Sequence, residues 1–204
     1  MGVSMKIDLK KELKELYFPP AKAPSIVRVP KMNFLMLDGK GSPSDEEYHQ
    51  AIEVLYGVAY TLKFMLKKEG VTDFVVMPLE GLWWTEAKTG LDMSNKASWE
   101  WTALMLQPEQ VTKSHVDKAI EELRRKKNPL GLSKLRFGAF DEGLAVQIMY
   151  IGPWADEKST IEMLHAFADE KGYRLRGKHH EIYLSDPRRT APGKLKTVIR
   201  QPVE

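Results

Sequence analysis

The stretch Gly41-Ser-Pro-Ser-Asp-Glu-Glu-Tyr48 marks the point where the chain changes from extended structure to a long helix. Glycine and proline break the preceding segment, and the acidic residues that follow suit the positive end of a helix dipole. From Tyr48 to Leu66, apolar residues recur every three or four positions, which indicates a helix with one buried face. The pair Lys67-Lys68 and Gly70 end this predicted helix.

A second break, Gly152-Pro153, precedes another predicted helix, which begins near Asp156 and is capped by Gly172. Each helix follows one predicted strand and precedes two more, so the same order of elements occurs in residues 33–107 and 143–201. We therefore expect an α+β fold of duplicated β-α-β-β units, which form an antiparallel sheet with the helices on one side. A central ligand groove is expected at the pseudo-twofold seam, on the face opposite the helices.

The remaining segments are assigned around these two copies. Residues 1–24 are predicted to be an arm with a short helix, and residues 25–204 one ligand-binding domain. Repeat one spans about 26–107 and repeat two about 135–201, and a helix at 112–127 links them. Three smaller predictions complete the assignment: a β-rich run at 74–79, a strand at 99–107, and a hairpin joining strand 135–140 to strand 144–151.

Composition excludes several classes of protein. The chain has 204 residues, of which 43% are hydrophobic and 29% charged, so it is globular rather than disordered. It has no cysteine, which excludes disulfides, thiolate metal sites and a cysteine nucleophile. No apolar run approaches the ~18–20 residues that span a bilayer. We expect a cytoplasmic monomer that contacts no membrane. We also expect no direct binding of nucleic acid, because no segment resembles a helix-turn-helix.

Tryptophans cluster in one part of the chain. Four of the five lie between residues 83 and 101, and Trp99 and Trp101 alternate on a predicted strand, so their indoles share one face. Two large rings side by side are typical of a groove wall, although simple core packing is an open alternative for each. The predicted ligand-contacting aromatic residues are Trp83, Trp99, Trp101, Tyr183 and Tyr60.

Glu181 is the main candidate for a polar functional group. It lies in the predicted strand 179–185, on the same face as His179 and Tyr183, whereas the other face is mostly apolar. A solvent-facing strand side is the alternative interpretation. A carboxylate half-buried among aromatic rings should have a raised pKa, and it could act as a general base or attract a cation.

Two further residues are weaker candidates. Glu80, beside Gly81 at a strand end, could contact ligand or be an ordinary loop carboxylate. Tyr150 precedes the Gly152-Pro153 break and could offer a phenol to the groove or be an ordinary strand tyrosine. We expect no cofactor. We also expect no metal at His179-His180-Glu181, because neighbouring strand residues point to opposite faces. Only His179 and Glu181 could then chelate together, and two ligands make a poor site.

Three stretches carry a resemblance to a known family. They are Glu47-Tyr48 through Leu55-Tyr-Gly-Val-Ala-Tyr-Thr-Leu-Lys63; Pro78-Leu-Glu-Gly-Leu-Trp-Trp84 with Trp99-Glu-Trp101 and Gln107-Pro108; and His179-His-Glu-Ile-Tyr-Leu-Ser-Asp-Pro-Arg188 with Lys194-Leu-Lys-Thr-Val-Ile-Arg-Gln-Pro202. In these the chain resembles the GyrI-like small-molecule-binding domains, in particular their stand-alone bacterial branch with the SOUL/GyrI-like fold. The resemblance implies a duplicated fold with a central groove, in which Glu181 is the acidic residue that contacts ligand.

The resemblance also implies a range of functions. Similar domains are effector-binding halves of multidrug-responsive regulators, a gyrase-inhibitor-like protein, and free-standing proteins, some of which hydrolyse cyclopropane-bearing, DNA-alkylating natural products. We expect this chain to bind small lipophilic or aromatic xenobiotics and to hydrolyse such toxins, with Glu181 and Tyr150 as catalytic groups. Whether it is an enzyme stays open. The alternatives are a non-catalytic drug-sequestering or sensing module and a gyrase-modulating interaction protein.

Overall fold

The structure, a computed structural model, describes residues 6–86 and 95–204. Within these ranges every helix is too short or too polar to span a bilayer. The elements in chain order are α1 (Leu9–Glu12), α2 (Lys14–Tyr17), β1 (Ser25–Val29), β2 (Met32–Lys40), α3 (Glu46–Lys68), β3 (Glu80–Trp84), β4 (Glu100–Leu106), α4 (Lys113–Lys126), β5 (Arg136–Phe140), β6 (Gly143–Ile151), α5 (Lys158–Glu170), β7 (His179–Tyr183) and β8 (Lys196–Pro202).

The eight strands form one antiparallel sheet in the order β1-β6-β8-β7-β3-β4-β2-β5. Two β-α-β-β units are visible in it: β2-α3-β3-β4 on one side and β6-α5-β7-β8 on the other. Their inner strands, β3 and β7, pair at the centre, and each unit's outer strand is extended by β5 or β1. The predicted α+β fold of duplicated units is therefore confirmed.

The helices α3 and α5 cover the same face of the sheet, as the sequence predicts. Tyr48 of α3 contacts the ring of Trp83, and α5 packs on a cluster that includes Ile199. Trp83 and Ile199 stand on one face, because the register runs from Gly81 through Glu181 to Ile199 and residues two apart share a face. The two helices therefore flank the central strands β3 and β7.

The predicted hairpin is wrong, although both of its strands exist. Strand β5 pairs with β2 at one edge of the sheet, whereas β6 pairs with β1 and β8 near the other edge. Only two residues separate Phe140 from Gly143, so these strand ends lie within about 11 Å of each other. The sheet must therefore curl strongly, and the short link that resembled a hairpin turn instead closes the distance between its two sides.

The β-rich run at 74–79 is also not a strand of the sheet. Phe74 forms an isolated bridge with Ile7 of the N-terminal arm, and the strand begins only at Glu80. Phe74 and Met77 are buried in the core beneath this segment. The apolar residues that suggested a strand thus serve core packing, while the backbone pairs with the arm.

Candidate functional site

Glu181 lies at the centre of the sheet, on β7, directly opposite Gly81 on β3. A methyl group on Gly81 would stand 2.6 Å from Trp83 Nε1 and 3.1 Å from the Tyr183 hydroxyl. The absence of a side chain at Gly81 therefore lets one indole and one phenol lie over the backbone beside Glu181. Because α3 and α5 flank this position, the candidate site is on the helix-bearing face, whereas the sequence predicted the opposite face.

Aromatic rings from five parts of the chain surround Glu181. Tyr48 lies with its ring centroid 5.1 Å from Trp83 and 5.1 Å from Trp101, and Trp83 lies 5.6 Å from Trp99. Trp154, in the turn before α5, lies 5.6 Å from Tyr183. A hydrogen bond of 3.0 Å from Trp83 Nε1 to the Tyr183 hydroxyl joins these two groups of rings. The set is continuous, and it is buried except at Tyr183, which is partly buried, and Trp154, which is 37% exposed.

The polar groups in contact with Glu181 come from β7 and from the start of α5. His179 Nε2 lies 3.1 Å from Glu181 Oε1, and Tyr183 also hydrogen-bonds to this carboxyl. A second carboxyl, that of Glu157, hydrogen-bonds to it as well. Glu181 is 8% exposed and Glu157 is 5% exposed. The site thus holds two carboxyl groups in contact and largely out of water.

The two carboxyls have opposite pKa shifts. Burial alone would raise the pKa of Glu181, but hydrogen bonds from His179 and Tyr183 outweigh burial and lower it. Burial raises the pKa of Glu157, and the negative charge of Glu181 raises it further. At neutral pH the pair therefore consists of an ionised Glu181 and a protonated Glu157. The sequence predicted a raised pKa for Glu181, and the structure assigns the raised pKa to Glu157 instead.

The two phenols beside the carboxyls stay protonated. Burial, followed by the charge of Glu181, raises the pKa of Tyr183 and of Tyr48. Tyr183 can therefore donate its hydroxyl hydrogen to Glu181 while it accepts one from Trp83. This chain of donors fixes the orientation of the Glu181 carboxylate and stabilises its charge.

Glu80 lies on the other face of the sheet and does not join this site. It is one residue from Gly81, so its side chain points away from Glu181. Its carboxyl accepts a 2.7 Å hydrogen bond from Tyr17 of the N-terminal arm and lies 3.0 Å from His180 Nε2. These contacts give Glu80 a structural role, and we do not retain it as a ligand-binding residue.

The same opposite face contains a buried ionic cluster around His180. His180 lies between the carboxyls of Glu80 and Glu142, and Glu142 also pairs with Arg200 at 3.0 Å. Arg200 in turn donates to the backbone oxygen of Leu16. The cluster thus fastens the N-terminal arm to the sheet.

Tyr150 and Tyr60 are also not in contact with Glu181. The Tyr150 hydroxyl donates a 2.8 Å hydrogen bond to the Pro153 carbonyl, and its ring packs in the cluster beneath α5. Tyr60 is 46% exposed on the outer side of α3, stacked with two other rings. The sequence analysis predicted Tyr150 as the second polar group beside Glu181. In the structure Glu157 lies there instead.

Sequence reasoning missed Tyr48 and Glu157 as site residues. Both lie where a helix begins, shortly after the breaks at Gly41-Ser-Pro43 and Gly152-Pro153. In a duplicated fold the first turns of the two helices flank the same seam. Their place at the helix starts could therefore have indicated both residues as site residues. Among residues 6–86 and 95–204, no three His, Asp or Glu side chains are placed to hold a metal ion.

An open cleft of about 700 Å³ lies elsewhere, between α4 and residues 132–135. Its wall includes the charged helix residues Asp117, Lys118, Glu121 and Arg125. Three of the ion pairs on α4 join exposed side chains one turn apart, which is typical of a solvated helix surface. The buried groups around Glu181 are therefore the stronger candidate.

The geometry defines a class: a duplicated α+β domain with a buried site of aromatic rings and carboxyl groups at its seam. The chain belongs to the family of the GyrI-like small molecule binding domain, which matches residues 22–204. It is accordingly a small-molecule-binding domain. No curated protein matches the chain.

Solved structures of similar proteins agree with this assignment. An uncharacterized conserved protein from Listeria innocua is 43% identical with a TM-score of 0.91, over 98% of this chain and 100% of that one. A hydrolase encoded by lin2189 from Listeria innocua is 44% identical with a TM-score of 0.88, over the same shares of both chains. The EcmrR C-terminal domain is 12% identical with a TM-score of 0.53, over 89% of this chain and 96% of that one, which shows a shared fold alone.

Proposed function

We propose that the protein binds a small aromatic molecule among Trp83, Trp99 and Trp101 and hydrolyses it, with Glu181 as the general base. The observation that carries this proposal is the ionised carboxylate of Glu181, buried among aromatic rings at the seam of the two units. Two relatives, 44% and 41% identical to this chain, are hydrolases from Listeria innocua. Their activity supports a hydrolytic reaction by this chain.

The aromatic rings supply the binding energy for a flat ligand. Tyr48 contacts both Trp83 and Trp101 at centroid distances typical of edge and tilted ring pairs. A planar ligand that enters between them exchanges ring–ring contacts for ring–ligand contacts, and it buries its own apolar surface. Because Trp83 and Tyr183 lie over Gly81, they are the side chains that would move to admit it.

Glu181 supplies the base because it is charged and positioned. The lowered pKa of Glu181 keeps it ionised at neutral pH, so it is available to accept a proton from a neighbouring water molecule. His179 and Tyr183 hold the carboxylate in one orientation. A water molecule between Glu181 and the ligand could then attack an electrophilic carbon while Glu181 accepts its proton.

Cyclopropane-bearing DNA alkylators are the proposed substrates. In such a molecule the strained ring is the electrophile, and the flat aromatic part fits between indoles. Water adds to one ring carbon, one ring carbon–carbon bond breaks, and the product gains one water. The reaction would protect a cell by destroying the alkylating group.

The test is incubation of the purified protein with a cyclopropane-bearing DNA alkylator, followed by mass spectrometry. We expect a product heavier by one water with the wild type and intact drug with Glu181→Gln. Glu170→Gln, a substitution of an exposed residue on α5, is the matched control and should behave as the wild type. Equal turnover by Glu181→Gln would reject Glu181 as the base.

A second function is favoured by the lowered pKa of Glu181. A carboxylate that resists protonation is a weaker base but a better permanent counter-ion, so the site also suits a cationic aromatic ligand that is held intact. Sequestration or sensing of such a ligand would leave it chemically unchanged after long incubation. The gyrase-modulating alternative rests on family resemblance alone, and a supercoiling assay without effect would remove it.

A further inference from the structure

The N-terminal arm ends in a short helix, α2, that is buried inside the curled sheet. Leu16 is 5% exposed and Tyr17 is 1% exposed. The segment that follows, residues 20–24, is mostly exposed and contains two prolines. The family domain begins at residue 22, so the arm lies outside it. The interior of the sheet is therefore filled by a segment that is separate from the domain in sequence.

Two side chains of the sheet hold the backbone of this helix. Arg200 Nη2 donates a 2.6 Å hydrogen bond to the carbonyl oxygen of Leu16. Gln147 Nε2 donates a 2.6 Å hydrogen bond to the carbonyl oxygen of Glu15. The last carbonyls of a helix have no partner within the helix, so these donors satisfy groups that a helical peptide always offers. Hydrogen bonds to main-chain atoms are the usual source of affinity where a protein binds a peptide.

A third contact depends on a side chain of the arm. The Tyr17 hydroxyl donates a 2.7 Å hydrogen bond to Glu80 Oε1, and both residues are buried. A phenylalanine in place of Tyr17 would fill the same space but would leave that carboxylate oxygen without its donor, which is costly in a buried place. The interior of the sheet therefore distinguishes a tyrosine from other large apolar residues.

The groups that contact the arm are held in place by one another. His180 lies 3.0 Å from Glu80 and 2.8 Å from Glu142. Arg200 donates to Glu142 and to Gln147, each at 3.0 Å. These four bonds join residues of the domain, so release of the arm leaves them intact. It frees one donor on each of Arg200 and Gln147 and one acceptor on Glu80, which together form a preorganised site.

The charges of this cluster decide what the site can bind. Burial lowers the pKa of His180, but Glu142 and Glu80 outweigh burial and raise it to about 9, so the ring is a cation at neutral pH. With Arg200 it balances the two carboxylates. A charged ligand would add a further buried charge to a balanced cluster, which is unfavourable. The site therefore suits a neutral segment that offers one hydroxyl donor and two carbonyl acceptors.

We propose that the interior of the curled sheet is a peptide-binding site and that the N-terminal arm is its detachable occupant. The peptide that fits this site presents a tyrosine hydroxyl together with the two backbone carbonyls that precede it, as the arm does. The site is separate from the one around Glu181, because its side chains point to the other face of the same strands. The proposal therefore does not depend on the proposed function.

The first experiment separates the arm from the domain in the folded protein. A recognition sequence for a site-specific protease is inserted between Lys22 and Ala23, which are both exposed, and the full chain is cleaved after it has folded. We expect a fluorescently labelled peptide of residues 6–22 to replace the cleaved arm, while circular dichroism shows that the domain stays folded. Absence of exchange, or unfolding of the domain as the arm leaves, would overturn the proposal, because the arm would then be an integral part of the core.

Variants of the peptide test which groups the site recognises. The Tyr17→Phe peptide should bind about 10–100-fold more weakly, the usual effect of a lost hydrogen bond to a charged group. Lys14→Gln, a change at an exposed position of the same helix, is the control and should bind as the wild-type peptide does. Equal affinity of the Tyr17→Phe and wild-type peptides would overturn the recognition of the phenol.

A measurement on the uncut chain covers a failure of the cleaved protein to stay in solution. The sequence has no cysteine, so a single introduced thiol reports opening at its own position. Leu16 in the arm and Leu55 in α3 are both buried, and the labelling rates of Leu16→Cys and Leu55→Cys are compared under native conditions. We expect Leu16→Cys to react faster and with a weaker dependence on urea, because the arm opens locally. Equal rates with the same urea dependence would show that the arm leaves only on global unfolding and would overturn the proposal.

Discussion

Gly81 and Glu181 stand directly opposite each other on β3 and β7, at the seam between the two β-α-β-β units. One position has no side chain and the other carries the buried carboxylate. The rings of Trp83 and Tyr183 occupy the space over Gly81. Glu181 therefore supplies the charged group of the seam, and Gly81 leaves the space that these aromatic side chains occupy.

Substitution Gly81→Ala should disturb this arrangement. The new methyl group would stand 2.6 Å from Trp83 Nε1, so the indole must shift and its hydrogen bond to Tyr183 must lengthen. We expect a loss of about 1–3 kcal/mol in the free energy of unfolding, the usual cost of overpacking, and weaker ligand binding. Urea denaturation and calorimetric titration would measure both. Gly193→Ala, which meets no atom within 4 Å, is the control and should change neither.

Substitution Tyr17→Phe tests the structural role assigned to Glu80. It removes a 2.7 Å hydrogen bond to a carboxyl that is fully buried on the face opposite the site. We expect a loss of about 1–3 kcal/mol in stability, because Glu80 keeps the cost of burial without this partner. Ligand affinity should not change. Tyr60→Phe, at an exposed position, is the matched control, and weaker ligand binding by it would restore Tyr60 to the site.

The His180 cluster should make stability depend on pH at both ends. Burial lowers the pKa of His180, but Glu142 and Glu80 outweigh burial and raise it to about 9, above the unfolded value of 6.5. Its contribution to stability is therefore complete below about pH 6.5 and is lost as pH rises through about 9.

Glu142 of the same cluster acts at the acid end. Burial alone would raise its pKa, but His180 and Arg200 outweigh burial and lower the pKa from 4.5 to about 2. Its contribution is complete above about pH 4.5 and is lost as pH falls through about 2.

The contribution of this cluster to the denaturant midpoint should therefore be highest between about pH 4.5 and 6.5 and decline on either side. The raised pKa of Glu157 adds a separate loss of stability as pH rises from about 4.5 towards 9. NMR of the His180 ring gives an independent check, because the ring should still be protonated at about pH 8 in the folded protein. A neutral His180 ring at that pH would contradict the electrostatic description of the cluster.

The fold was largely predictable because its signals are local. The apolar period of α3 and the alternation in β4 and β7 depend only on neighbouring residues, and all three elements occur where these patterns predict them. The pairing of β5 with β2 was not predictable from such patterns. It depends on how strongly the whole sheet curls, and the two-residue link from Phe140 to Gly143 is equally compatible with a hairpin.

The candidate site was less predictable, for two physical reasons. A shift of one residue along a strand changes the face, and the pattern around β3 contains no register, so it could not show that the side chain of Glu80 points away from Glu181. The raised pKa of Glu157 results from burial and from the charge of Glu181, which is distant in sequence and lies near it only because α5 begins at the seam. The alternation in strand 179–185 nevertheless placed Glu181, Tyr183 and His179 together, and the structure brings these three side chains into contact.

The rate of hydrolysis should depend on pH through the same carboxyl pair. Burial and the charge of Glu181 raise the pKa of Glu157 to about 9, so above that value Glu157 is ionised and its charge repels the Glu181 carboxylate that acts as the base. On the acid side, the rate should fall only below the ordinary range of a glutamate, because the pKa of Glu181 is lowered. The pH profile of kcat for the cyclopropane-bearing alkylator should therefore be a broad plateau with two limbs, and the limbs belong to the pair rather than to either residue. In Glu157→Gln the alkaline limb should disappear, because the group that ionises there is removed. Lys96→Met, which removes the cation near Glu157, should instead move that limb to higher pH, and an unmoved limb would show that another group controls it.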